Sequence, residues 1–397
     1  MSRDSELVDC AVVGGGPSGL VLASLLARRR WRVTVIEEGE GTKAPSLNIS
    51  PFLSPPSLRL FADLGLVDEL NRIGQPVREV VESAVDGSRY TLDYAERVGD
   101  WSGYALSVPL FTLSNALRRT LTREASAELL SGTAVRGVRQ SGNAVTLDLV
   151  DAEGARPLEC RFVVCADGKF SKVRDLAGIA AQVSEFDRPL VMVVVPKPAG
   201  WPERIALHHG EHDSLVAVMP IAGGDLAVQW LADPDEFEQV RAGQVEELRS
   251  RLTRALPELT DLLTTTVTDW DRVLTVRYHM VRPRAWSSGR VGLLGDGAHG
   301  VHSLGGQGLN LGIQDAMVLG SLLVEAGVDS GVAPLEEYER LRKPYVENFQ
   351  DYQLALPQLT SQSGGGNEQT ILYEAIADMV TGGQPEALAS YQRLVDR

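Results

Sequence analysis

An apolar run, Leu7 to Val13, is followed at once by Gly14-Gly15-Gly16-Pro17-Ser18-Gly19 and then by Leu20 to Arg30 with no helix breaker. Nothing else in the chain constrains the fold as strongly, because the order spells strand, tight turn and helix. Gly14 permits the turn, Gly16 lets backbone approach a pyrophosphate, and Gly19 lets the helix pack closely on the strand. Ser18 lies in the first helical turn, whose amides and dipole favour an anion, and Pro17 suits a position where a missing N–H costs nothing. A second strand, Arg32 to Ile36, ends in Glu37, 18 residues past Gly19. A carboxylate there can accept hydrogen bonds from a ribose diol. The same glycine spacing recurs at Gly295-Asp296-Gly297-Ala298-His299-Gly300, but without a strand and acid at the right distance after it. The first stretch is therefore a complete dinucleotide unit and the second is not, although a ribose-binding acid does not say which dinucleotide is bound.

Two later stretches narrow the choice. Val135 to Arg139, Val145 to Val150 and Leu158 to Ala166 read as successive strands, and the last ends at Asp167-Gly168, with Ser171 and Arg174 following. Arg290 to Leu294 is another apolar strand that ends at an aspartate, Asp296. A glycine-rich approach to a helix follows, Gly305-Gly306-Gln307-Gly308-Leu309-Asn310-Leu311-Gly312, leading into Asp315.

In these ordered motifs, from Val8 to Pro344, the sequence resembles the group A flavoprotein monooxygenases, the family of para-hydroxybenzoate hydroxylase and the aromatic hydroxylases of polyketide pathways. The resemblance implies that Gly14, Gly16, Ser18, Gly19 and Glu37 hold the ADP half of FAD. It places Asp167 and Gly168 in a motif linked to flavin and nicotinamide binding, and Asp296 on the ribityl chain. Backbone amides at Gly306, Gly308, Leu309 and Asn310 would meet the pyrimidine edge of the isoalloxazine, where a helix N-terminus stabilises negative charge on the reduced ring. Two departures stand out. His302 and Ser303 occupy the place of the family's adjacent prolines near the reactive face of the flavin, and Leu110 occupies the place of an arginine or glutamine, leaving Lys43 and Arg118 as candidates to compensate.

The implied architecture is α/β: a Rossmann-like FAD-binding domain, an inserted antiparallel β-sheet substrate domain and C-terminal helices. The FAD-binding domain is expected from residues 1–76, 106–179 and 276–333, the substrate domain from 77–105 and 180–275, and the helical segment from 334–397. Leu190 to Val195, Arg204 to His208, Ser214 to Pro220 and Asp225 to Leu231 read as strands of the inserted sheet. Val240 to Leu256, Leu335 to Leu356 and Thr370 to Val380 read as helices. The stretch beyond Pro357 could pack on the core, cap the site or mediate association.

A net charge of −15, spread along the chain, disfavours nucleic acid and anionic membranes as partners. No unbroken apolar stretch approaches the roughly 18 residues of a membrane span, and the polar N-terminus fits no leader, so the expected location is cytoplasmic. Cys10, Cys160 and Cys165 form no CxxC pair and read as buried reduced thiols, and the spacing of His208 and His209 makes no metal set. The partner is then a small molecule, with oligomeric state undetermined.

The resemblance implies chemistry with FAD, a transiently bound NAD(P)H and O2, placing oxygen on an electron-rich ring or alkene. His302 and Ser303 are the candidate catalytic residues, His302 because imidazole can exchange protons near neutral pH, with a local structural hydrogen bond as the other reading of that ring. Gln229, Trp230 and Tyr278 are the candidate substrate contacts, although adjacent strand residues point to opposite sides, so only one of Gln229 and Trp230 can face the pocket. The His302-Ser303 replacement leaves open an enzyme of the same fold that dehydrogenates, reduces or rearranges without inserting oxygen. A flavin-dependent sensor is a third reading, disfavoured because no interaction motif is present. A flavin halogenase is disfavoured because the WxWxIP signature is missing.

Overall fold

The computed structural model describes residues 7–40, 50–83, 87–97, 102–210, 214–362 and 383–395. Lys43 and the expected helix Thr370 to Val380 lie outside the described residues.

The N-terminal strand Val8–Val13 pairs in parallel with Val33–Glu37 on one side and with Gly154–Cys165 on the other. Ala127–Ser131 and Val291–Leu293 extend this sheet, also in parallel. Helix Pro17–Arg28 is the right-handed crossover, buried along Gly19 to Ala27. Gly154–Cys165 is 12 residues long and links a parallel and an antiparallel part of one sheet. Its first half pairs antiparallel with Ala144–Asp151, which in turn pairs with Ala134–Ser141. Its second half, apolar and buried, joins the parallel sheet. The three cysteines are buried and free, and burial pushes the Cys160 thiol up to about 12.

A second sheet has seven strands in the order Leu274–Val276, Leu190–Pro196, Asp225–Leu231, Leu215–Ile221, Arg204–His209, Glu79–Ser83 and Arg89–Asp93. It is antiparallel except where Arg204–His209 meets Glu79–Ser83. One face, carrying Val191, Val193, Val216, Val218, Leu226, Val228 and Trp230, forms its own core with helices Pro234–Ala242, Val245–Ala255 and Thr260–Thr266. The single helix expected from Val240 to Leu256 is thus two, broken at Gly243, which caps the first with extended backbone.

Helix Gly308–Ala326 runs through the other core. Its length and composition would suit a membrane span, but 72% of its apolar window is buried in the protein. It packs on Pro17–Arg28, on Ala333–Gln362 and on Pro385–Val395. Leu335, Tyr338, Val346 and Phe349, together with Ala387 and Tyr391, enter the same core as the first strand. The two C-terminal helices therefore support the dinucleotide half, which settles one of the three options left open for the end of the chain.

Candidate active site

At the C-terminal edge of the parallel sheet, Gly14 takes φ +113°, and a Cβ there would collide with the Ala166 carbonyl. Gly19 is equally confined, with its missing Cβ against the Gly14 carbonyl. Gly16 is different: nothing lies within 4 Å of the place its Cβ would take. Confinement explains the first two as packing and turn requirements, and open space at the third is the cradle a pyrophosphate needs. Helix Pro17–Arg28 starts with no side-chain cap and no acid in its first turn, so its amides remain for a ligand. The Ser18 hydroxyl points instead toward Gly295 and Gly312, where the helix starts meet.

Glu37 sits across from this turn. Its carboxylate accepts a hydrogen bond from the Gly15 amide at 2.5 Å and lies 3.6 Å from Arg118. Arg118, on helix Leu110–Leu121, also donates to the Gly15 carbonyl at 3.1 Å. Of the two candidates to replace the arginine or glutamine absent at Leu110, Arg118 is thus at the dinucleotide turn.

Asp167 accepts from the Ser171 hydroxyl and from the Val173 amide at 3.2 Å, capping the short helix Lys172–Leu176. Arg174, 3% exposed, reaches from that helix to the Gly297 carbonyl at 3.3 Å and so joins the two aspartate turns. Asp296 is the freer of the two carboxylates: its side chain is 42% exposed, and Lys169 stands 3.9 Å away. Gly168 takes φ +89° between them.

Gly306 and Gly308 precede and open helix Gly308–Ala326, which again has no side-chain cap and no acid in its first turn. Leu309 and Asn310 follow in that turn, but the Asn310 side chain is committed elsewhere. Its oxygen accepts from Ser54 N at 2.9 Å and from the Ser57 hydroxyl at 2.7 Å, and its nitrogen donates to Phe52 O and Gly306 O. Only its backbone amide is left for a cofactor. Two uncapped helix starts, one open glycine and one exposed acid at a shared sheet edge suit the two ends of FAD.

Between the aspartate turn and that helix lies the loop carrying His299, His302 and Ser303. His299 donates to or accepts from Asp315 at 2.6 Å, and Asp315 also meets Arg342 at 2.7 Å. All three side chains are at most 1% exposed. Burial alone would raise the Asp315 pKa, but Arg342 and His299 outweigh it and hold the carboxyl below its ordinary value. His302 packs against the rings of Tyr278 at 4.7 Å and Phe186 at 5.3 Å. Tyr278 also shares a hydrogen bond with Ser303 and lies under the Lys169 ammonium at 5.2 Å. Burial raises the Tyr278 pKa. The His302 imidazole is pushed down to about 4, chiefly by burial and further by the positive charges of Lys169 and Arg188, against a hydrogen bond to the Arg188 backbone that favours the charged ring. Proton exchange near neutral pH was the expectation for His302; burial and the nearby cations favour the neutral ring there.

Trp230 also needs correction. It is 1% exposed, donates to the Ser214 hydroxyl at 2.7 Å and belongs to the core under the helices. Its neighbour Gln229 takes the opposite, partly open face, 3.6 Å from Met192 on the adjacent strand. Gln229 therefore keeps its candidacy as a pocket residue and Trp230 loses it. Phe186 and Tyr278 sit where two chain segments pass between the halves: Phe186 lies between strands Ala181–Glu185 and Leu190–Pro196, and Tyr278 between Leu274–Val276 and His279–Pro283. Lys169 and Phe186 were not foreseen. Lys169 directly follows Asp167-Gly168 and could have been flagged by that position, whereas nothing local marks Phe186.

A family model described as an FAD binding domain matches residues 7–352. The chain is a group A flavoprotein monooxygenase. It is 34% identical over 390 residues to protoasukamycin 4-monooxygenase of Streptomyces nodosus subsp. asukaensis, covering 96% of this chain and 95% of that one. Identity with 6-methylpretetramide 4-monooxygenase of Streptomyces rimosus is 28% over 331 residues, 81% of this chain and 76% of that one. Among solved structures, Pseudomonas aeruginosa PqsL in complex with 2-aminobenzoylacetate shares the fold with a TM-score of 0.78 at 24% identity, covering 99% of this chain and all of the other. FAD is accordingly the cofactor of this monooxygenase.

Proposed function

We propose that this monooxygenase hydroxylates or epoxidises an electron-rich aromatic or conjugated apolar small molecule, as a tailoring step in biosynthesis. NAD(P)H supplies two electrons, one atom of O2 enters the substrate and the other leaves as water. The observation that carries the proposal is the near end-to-end similarity to protoasukamycin 4-monooxygenase, 34% over 390 residues. Reduced FAD supplies the activation of O2 that side chains cannot.

The chain's own residues would do the rest. Gly14, Gly16, Glu37 and Arg118 hold the nucleotide end, and Asp296 with the amides from Gly306 to Asn310 holds the flavin end. The face of the second sheet that carries Met192 and Gln229, turned away from its helices, forms an apolar wall against which a ring can lie. Phe186, Tyr278 and His302 close the joint and keep water from the reacting centre, which strengthens every electrostatic interaction inside it.

The deciding experiment supplies the FAD holoenzyme with NADH or NADPH, candidate phenolic and polyene ligands, and 18O2. A labelled product, with one nicotinamide consumed per oxygen inserted, supports the proposal. Conversion of a ligand under argon with no label incorporated under 18O2 would instead favour the oxygen-free chemistry that His302 and Ser303 left open.

A further inference from the structure

The face of the second sheet turned away from its helices is not uniformly apolar. One row of side chains crosses its strands in register: Met192 opposes Gln229, Gln229 opposes Ala217, Ala217 opposes Leu207, and Leu207 opposes Glu82. Opposed residues share a face, and it is not the helix side, because Ala206, next to Leu207, packs toward the core that holds Val191 and Val228. Two residues past Leu207 on the same strand, His209 returns to this face, and its Nε2 shares a hydrogen bond with the Glu82 carboxylate. Both ends of the face are tied to the site. Phe52, whose carbonyl accepts from Asn310 in the first turn of the flavin-end helix, packs into one small core with Val80 and Ile205 of this face. Phe186, which packs on His302, comes just before strand Leu190–Pro196, which carries Met192.

A charged pair on such a wall is costly to keep. With side chains 12% and 17% exposed, Glu82 and His209 are too covered to be an ordinary surface pair, yet both still reach open space. Taking a carboxylate out of water opposes folding, and a purely apolar ligand would be served as well by an apolar pair. A carboxylate offers about four acceptor sites, so Glu82 can take a donor from a ligand in addition to His209.

We propose that Glu82, positioned by His209, selects substrates that carry a hydrogen-bond donor, a hydroxyl or an amide N–H, at the end remote from the ring that is oxidised. This rests on the monooxygenase reading of the site and adds the substrate class to it. Glu82 lies three strands from Gln229. Neighbouring strands are about 4.8 Å apart, so the donor belongs about 14 Å from the group that meets Gln229. Between them Ala217 and Leu207 offer apolar contact to the body of the ligand. The substrate is thus elongated, apolar along its middle and polar at its far end, and Glu82 binds it without taking part in oxygen transfer.

The test does not depend on turnover. Binding to the FAD holoenzyme is read from the change in the flavin absorption spectrum. The probes are para-(ω-hydroxyhexyl)phenol, para-heptylphenol, in which a methyl group replaces the far hydroxyl, the primary amide of the same length, and the short para-(ω-hydroxypropyl)phenol. Glu82→Leu should weaken the long hydroxyl probe about tenfold and para-heptylphenol by less than about twofold. The short hydroxyl probe, which does not span the row, should be as indifferent as para-heptylphenol. An equal loss for the amide supports the same assignment, and a loss for only one of the two long donors tells which donor is preferred. Glu82→Gln, which keeps the volume and an acceptor oxygen, should retain part of the preference, and it decides the question if Glu82→Leu does not hold FAD. Equal weakening of para-heptylphenol, a matching loss for the short probe, no loss for either long donor, or failure of the long probes to bind the unaltered holoenzyme would each overturn the assignment. Absence of labelled oxygen in product would undo the monooxygenase proposal while leaving these affinity ratios intact.

Discussion

His299 and His302 are three residues apart in one loop and both are buried, yet one faces a carboxylate and the other faces cations. At the His299 end, Asp315 and Arg342 complete a buried chain of charge that reaches Gln384, just before the C-terminal helix. At the His302 end, a ring kept neutral by burial stands among Tyr278, Phe186 and Lys169. The first arrangement pairs buried charge within the protein and serves to hold the loop. The second holds its ring by aromatic packing and backbone contacts, with cations rather than a carboxylate around it.

Removing a member should separate the two ends by stability. Asp315→Ala leaves Arg342 buried and unpaired, an effect of about 3–5 kcal/mol, read as the loss in unfolding free energy of the FAD holoenzyme in urea. A loss under about 1 kcal/mol would mean the triad is not the clamp described here. Trp230→Ala, on the packed side of the second sheet, should cost about 3–5 kcal/mol through a cavity, again by urea unfolding.

Acid titration sharpens the contrast further. The folded pKa of His302, about 4, is below the ordinary histidine value of about 6.5. Its unfolded form therefore binds protons first, and stability should fall by about 3 kcal/mol as pH drops from 6.5 to 4. His302→Gln should flatten that window. Asp315, with a folded pKa lowered by Arg342 and His299, contributes stability that is present above the unfolded carboxylate value and lost only as pH falls through its lowered folded value. The difference between wild type and Asp315→Asn should accordingly persist from pH 7 down to about 4 and shrink below it. A slope that is unchanged in His302→Gln would break the distinction. The smallest stability effect belongs to Gln229→Ala, within about 0.5 kcal/mol, because that side chain lies on the open face. Its expected consequence is a raised KM with little change in kcat, which steady-state kinetics would show.

Much of the dinucleotide half was legible because its signals are local. The turn at Gly14, the helix after it and the acid at Glu37 fall within one βαβ unit, and the structure assembles them in parallel register as expected. Four of the seven strands of the second sheet were also legible, nearly to their ends, while Glu79–Ser83, Arg89–Asp93 and Leu274–Val276 were not foreseen. Alternation assigns residues to two faces but not the face to a neighbour, and so it could not choose between Gln229 and Trp230. The choice was made by helices Pro234–Ala242 and Val245–Ala255, which cover the Trp230 side. The break at Gly243 was missed because the charged, helix-favouring residues on both sides read as continuous.

The sequence by itself determined a dinucleotide-binding unit and the chain order of the elements, and its ordered motifs carried the resemblance that implied FAD, since glycine spacing and strand-end acids act through near neighbours in the chain. Only the tertiary structure decided what the loop histidines do. The field at His302 comes from Lys169 and Arg188, more than 100 residues earlier in the chain, and its tautomer from an amide two residues away. Asp315 and Arg342 meet His299 only because two long helices cross behind the loop. Charge and burial depend on distance in space, and sequence separation carries almost none of that information.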